Sequence, residues 1–177
     1  MTATEETAYT ESRDAEIGQG IRQLVVASGT NSRDHGFHDS WPRPGYPIVT
    51  ATGEPASDVR PEWIEEHQTH LRMAIAEKLA LVHEEISEML GEIRSGNDPL
   101  RTYFVDKEGG VYDEQRYVDG VPQYKPEGFL VEGADAIIRL GDLSFLVGDE
   151  DGSLLAEAQR IKHEYNATRP YKHGRKF

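Results

Sequence analysis

Between Pro61 and Ile93 the chain places Leu71, Ile75, Leu79, Val82, Ile86, Met89 and Ile93 at alternating steps of four and three. That spacing returns to one face of an α-helix and matches neither face of a strand. Pro61 suits the first helical position, where its missing N–H is not needed. Ser95-Gly96-Asn97-Asp98-Pro99 ends the run. A helix this long and one-sided requires other helices to pack on, so it commits the chain to a mainly helical architecture.

The remaining segments are read against that helix. Residues 1–14 are rich in Thr and Glu with little to bury, which predicts a disordered lead-in. Ile17, Ile21, Leu24 and Val25 predict a short first helix ending near Gly29. From Asn31 to Pro61 the chain carries Pro42, Pro44, Pro47 and Pro55, together with His35-Gly36-Phe37-His38-Asp39-Ser40-Trp41. A regular helix would not tolerate this stretch, so it reads as a long loop. Between Tyr103 and Tyr124 the composition turns β-branched and aromatic around Glu108-Gly109-Gly110 and Asp119-Gly120, which predicts a hairpin within an insertion of about residues 96–126. A helix over Phe129 to Val147, a turn over Gly148 to Gly152 and a last helix marked by Leu154, Ala158, Ile161 and Tyr165 complete the chain. The expected fold is all-α, a small helical bundle with a β-hairpin inserted between its two main helices. Length argues for a single domain, over residues 15–177.

Charge narrows the function. The formal net charge is −13, but from Arg160 onward six basic residues face one acidic one, so a tail of +5 follows a body of −18. An acidic body argues against general nucleic-acid binding, which needs cations to neutralise phosphates. No apolar run approaches the ~20 residues of a membrane span. The acidic N-terminus does not resemble a secretion signal. Cysteine is absent, which rules out thiolate metal sites and suits a reducing compartment. The expectation is a cytoplasmic protein.

The chemistry lies in carboxylates. Glu85 and Glu88 stand one turn apart on the long helix, beside its apolar seam. Glu132 and Asp135 repeat the spacing on the later helix, where Arg139 and Asp142 continue the stripe. If the two helices pack antiparallel, four carboxylates converge, which is unfavourable unless a cation sits among them. Hard oxygen ligands favour Mg²⁺, with Mn²⁺ as substitute, and leave coordination positions for water and phosphates. Two solvated helix faces, with an Asp135–Arg139 surface pair, are the plainer account of the same residues.

Three ordered motifs resemble one family, the MazG-like all-α nucleoside triphosphate pyrophosphohydrolases, among them dCTP pyrophosphatases and dimeric dUTPases. Glu84-Glu85-x-x-Glu88 is similar to its first acidic element and Glu132-Gly133-Ala134-Asp135 to its second. The ending Lys162-His163-Glu164-Tyr165-Asn166-x-x-Arg169-Pro170-Tyr171-Lys172 resembles the tail of small phage-type members. The segment between the acidic elements, Met89 to Val131, is longer than the compact family pattern. The resemblance implies a Mg²⁺-dependent release of a nucleoside monophosphate and pyrophosphate by a homodimer or a dimer of dimers. It places metal binding on Glu85, Glu88, Glu132 and Asp135, with Glu85 or Glu88 also orienting or deprotonating the attacking water. Glu84 and Asp142 are further ligands or supports of the ligands.

Lys162, Asn166 and Arg169 share a helical face and, with Lys172 and Arg175, are candidates for gripping phosphates. Phe37, His38, Asp39 and Trp41 offer rings and polar edges for a nucleobase. Two other readings compete. His38-Asp39 with His67-x-x-His70 suggests an HD-domain phosphohydrolase, but that dipeptide precedes Ser-Trp-Pro in a loop rather than riding a helix. The net charge alone also suits an acidic interaction protein of the DNA-mimic kind, which the basic tail fits poorly.

Overall fold

A computed structural model describes residues 3–42 and 61–169. Among them run α1 (Ala3–Asp34), α2 (Pro61–Arg94), strands β1 (Tyr103–Val105), β2 (Val111–Tyr112), β3 (Tyr117–Val118), β4 (Val121–Pro122) and β5 (Lys125–Glu127), then α3 (Phe129–Leu146) and α4 (Ser153–Ala167). The chain is mostly helical with a small antiparallel strand region. No helix among the described residues is long and apolar enough to cross a membrane.

Two boundaries differ from expectation. Helix α1 begins at Ala3, inside the segment expected to be a disordered lead-in. Residues 3–17 contain neither Gly nor Pro and are rich in alanine and glutamate, which favour helix even without an apolar seam. The same helix passes through Gly29 and ends after Asp34, at Gly36, whose φ of 78° lets Phe37 N–H bond Ser32 C=O. Gly29 is buried inside the helix against Phe145, and a side-chain carbon there would overlap that ring. It is a packing glycine rather than a stop. Helix α2 does stop where expected, with Gly96 at φ 77° and Asn97 N–H on Glu92 C=O.

The chain groups into two compact units, residues 1–39 with 141–177 and residues 40–140. In the first, α1 and α4 run antiparallel, since Asp14 meets His163 at 3.2 Å while Gly18 lies against Ala156. Among its described residues Val25, Leu143, Leu146 and Ala156 are the buried apolar side chains. Buried Asp149 starts α4, accepting the N–H groups of Leu154 and Leu155 at 2.9 Å and the Ser144 hydroxyl at 3.0 Å.

In the second unit α2 and α3 are antiparallel too, because Glu85 meets Arg139 while Met89 packs on Gly133. The buried line of α2 runs through Val82 and Glu85, with Leu71, Ile75, Lys78, Met89 and Glu92 half-buried. Leu79, Ile86 and Ile93, expected on the seam, are exposed, as is Leu90. The helix is turned so that its acidic line, rather than the middle of its apolar stripe, meets α3.

The insertion is more elaborate than one hairpin. Strands β2, β1 and β5 form an antiparallel sheet in that order, with Phe104 paired to Tyr112 and Val105 to Lys125. β3 and β4 form a separate ladder turned by Asp119-Gly120, both at positive φ as a tight hairpin turn demands. Asp106 closes the β1–β2 turn, accepting from Glu108 N–H, Gly110 N–H and the Tyr112 hydroxyl.

A carboxylate cluster on two helices and a strand

Among the described residues of the second unit Val82 and Ala136 are the buried apolar side chains, and on the same helices Glu85 and Glu132 are buried as well. Burying a carboxylate costs several kcal/mol unless something answers its charge. Glu85, exposed Glu88 and Glu132 each offer an oxygen, and these lie within 4.8 Å of one another. At about 5 Å and an effective dielectric of about 20, two buried carboxylates repel by roughly 3 kcal/mol, less where water screens exposed Glu88. The cluster therefore has to take up protons, fixed cations or a metal ion.

The protein itself supplies fixed cations and a site for a proton. Arg139 Nε donates to Glu85 Oε1 at 2.5 Å, so the arginine serves the other helix rather than forming the surface pair with Asp135 that the plainer account of these residues supposes. Glu132 is pushed up to about 7, first by burial, then by its hydrogen bond to Glu127 and the charges of Glu127 and Glu88, with Lys125 pulling the other way. Asp135, half-buried, is raised by burial and the charge of Glu85, and lowered by Arg139 and Lys125.

Strand β5 thus belongs to the cluster, a role that the sequence motifs do not give its residues. Lys125 Nζ lies 2.7 Å from Glu127 Oε1, as strand alternation allows for residues two apart. Gly128 carries the chain from β5 into α3 at φ 125°, and a side chain there would sit 2.6 Å from the Arg101 carbonyl oxygen. Its own carbonyl accepts the Glu132 N–H at 3.1 Å, which sets Glu132 in the first turn of α3. A turn further along α2, Glu92 accepts from the Tyr103 hydroxyl at 3.0 Å and from Asn97 Nδ2 at 2.9 Å, tying β1 to the end of that helix. Burial and Glu92 raise the Tyr103 phenol above its ordinary range. A Lys-x-Glu on a strand directly preceding the second acidic helix was the available signal for β5.

Three oxygens within 4.8 Å fit a divalent cation. Ligands of one ion stand no further apart than about twice the metal–oxygen distance, about 4 Å for Mg²⁺ and about 5 Å for Ca²⁺, so the 4.8 Å limit meets an ion of calcium's size as it stands and Mg²⁺ where the carboxylates draw in around it. Asp135 stands outside this trio but close enough to feel Glu85. Glu84 is exposed and is not part of the trio.

The other expected site residues are not among the three grouped carboxylates. Asp142 belongs to the first unit, buried, with His38 Nε2 at 2.6 Å from its Oδ1 and the His38 ring 5.9 Å from that of Phe145. Phe37 and Asp39 are exposed. Trp41, in the second unit, is half-buried and its Nε1 has no hydrogen-bond partner among the described residues. Lys162, Asn166 and Arg169 are exposed at the end of α4, with Lys162 and Arg169 over the Tyr165 ring at 5.4 and 5.9 Å. Lys172, Arg175 and most of the proline-rich loop lie outside the described residues. His67 is half-buried and His70 exposed on α2, and neither joins a metal-type grouping among the described residues. No protein-family model matches this chain, and neither a curated protein nor a solved structure matches it.

Proposed function

We propose that the chain is a Mg²⁺-dependent nucleoside triphosphate pyrophosphohydrolase of the MazG-like kind. One observation carries the reading: antiparallel α2 and α3 bring Glu85 and Glu88 of one acidic element against Glu132 of the other, with Asp135 beside Glu85. Glu85, Glu88 and Glu132 would hold the ion, and Asp135 would complete or support the set. When bound, Mg²⁺ neutralises phosphate oxygens and activates water. Arg139 fixes the Glu85 carboxylate, so its direction is set before any ligand arrives. Glu88, the exposed member of the trio, would orient an attacking water and accept its proton. Lys162, Asn166, Arg169, Lys172 and Arg175 are proposed to grip phosphates, and Phe37, His38, Asp39 and Trp41 to contact the base.

Self-association is part of the proposal. Leu79, Ile86, Leu90 and Ile93 form an exposed apolar stripe on α2, the kind of face that a second copy covers in a homodimer or dimer of dimers.

The test is a panel of canonical and modified NTPs and dNTPs with Mg²⁺ or Mn²⁺, products identified by chromatography. Monophosphate with pyrophosphate is the expected outcome, and the turned-over member names the base. A panel without turnover, together with no uptake of metal, would favour the acidic interaction protein that the charge of −13 suggests.

A further inference from the structure

Strand β5 places a fixed cation among the carboxylates. The Lys125 ammonium is 2.7 Å from Glu127 Oε1, Glu127 hydrogen-bonds Glu132, and the lysine's charge acts on Glu132, Glu88 and Asp135 as well. The side chain remains 65% exposed, so the ammonium is in reach of solvent. Its backbone is held by the β1–β5 ladder, opposite Val105. We infer that Lys125 is the tethered counter-ion of the carboxylate cluster, which a divalent cation displaces and which then meets the phosphate oxygens of the anion bound with that cation.

The inference rests on reading Glu85, Glu88 and Glu132 as a metal site. A metal and the ammonium answer the same negative charges, and they repel each other. Removing the lysine's charge must therefore tighten metal binding while weakening the capture of a phosphate that needs a second cation. Lysine suits this exchange, being a flexible point charge that gives up one partner for another without the geometric demands of a guanidinium.

The experiment is calorimetric titration of the full chain with MnCl₂ alone, for the wild type, Lys125→Met and Lys125→Arg, followed by titration of each Mn²⁺-loaded protein with inorganic pyrophosphate. Lys125→Met is expected to bind Mn²⁺ about five- to tenfold more tightly than the wild type, since one unit charge that repels the divalent ion is removed in water-like dielectric. It should bind pyrophosphate about tenfold more weakly. Lys125→Arg keeps the charge and should stay near the wild type in both, which separates charge from folding. Equal or weaker Mn²⁺ binding by Lys125→Met, or unchanged pyrophosphate binding, overturns the inference while leaving the metal site standing. A wild type that takes up no Mn²⁺ overturns both.

Discussion

Glu132 links the cluster to pH. Its acidity lies near 7 in the folded chain against 4.5 for a free side chain, so between those values the folded state holds a proton that the unfolded state has released. Stability from this group is complete below about 4.5 and is lost as pH rises through about 7, a contribution on the order of a few kcal/mol. Metal-free protein should therefore melt at a lower temperature at pH 8 than at pH 5.5 by a component that Glu132→Gln lacks. Parallel melting profiles for the two proteins would refute the assignment. A metal must expel the same proton, so Mn²⁺ affinity should climb toward pH 7 and then level off. Glu85→Gln should lower turnover by about a hundredfold or more with little change in melting temperature, because Arg139, 41% exposed, can turn to water when its partner becomes neutral. Wild-type turnover would remove Glu85 from the site. The four acidic positions were legible as two pairs spaced three residues apart. The roles of Lys125 and Glu127 were not, since a Lys-x-Glu spacing does not say which groups from elsewhere in the chain its strand will meet.

At the scale of elements, close approach outweighs propensity. Gly29→Ala ordinarily gains about 1 kcal/mol in a helix interior. Against Phe145 the added carbon has nowhere to go, and overpacking of about 1–3 kcal/mol should win. Chemical denaturation should show a net loss, and a gain would mean that α1 and the end of α3 do not pack as described. Asp149→Ala removes the acceptor for two N–H groups of α4 and the Ser144 hydroxyl, and should cost about 1–2 kcal/mol. The helix boundaries of α2, α3 and α4 were readable from apolar spacing and from Gly and Pro. The rotation of α2 about its axis was not, because a stripe of seven apolar positions does not say which edge of itself meets the neighbouring helix.

For the whole molecule, ligands and copies set the observable stability. Millimolar Mg²⁺ or Mn²⁺ should raise the melting temperature and chelation reverse it, since an ion bound only by the folded state must stabilise it. Sedimentation should find a dimer or larger species that Ile86→Lys with Leu90→Lys dissociates. A wild-type monomer would leave the α2 stripe without its proposed occupant. The sequence by itself determined what local rules control: a mainly helical chain, a long second helix started by Pro61 and ended by Gly96, a β-rich insertion, and acidic pairs one turn apart. Tertiary structure decided the rest. It extended α1 through Gly29, gave Arg139 to Glu85, closed His38 onto Asp142, and brought β5 against the acidic helices so that Glu132 shares a hydrogen bond with Glu127. Periodicity fixes which residues share a face of one helix. Which faces meet depends on the packing of segments far apart in sequence, and the charge state of a buried carboxylate depends on what that packing places beside it.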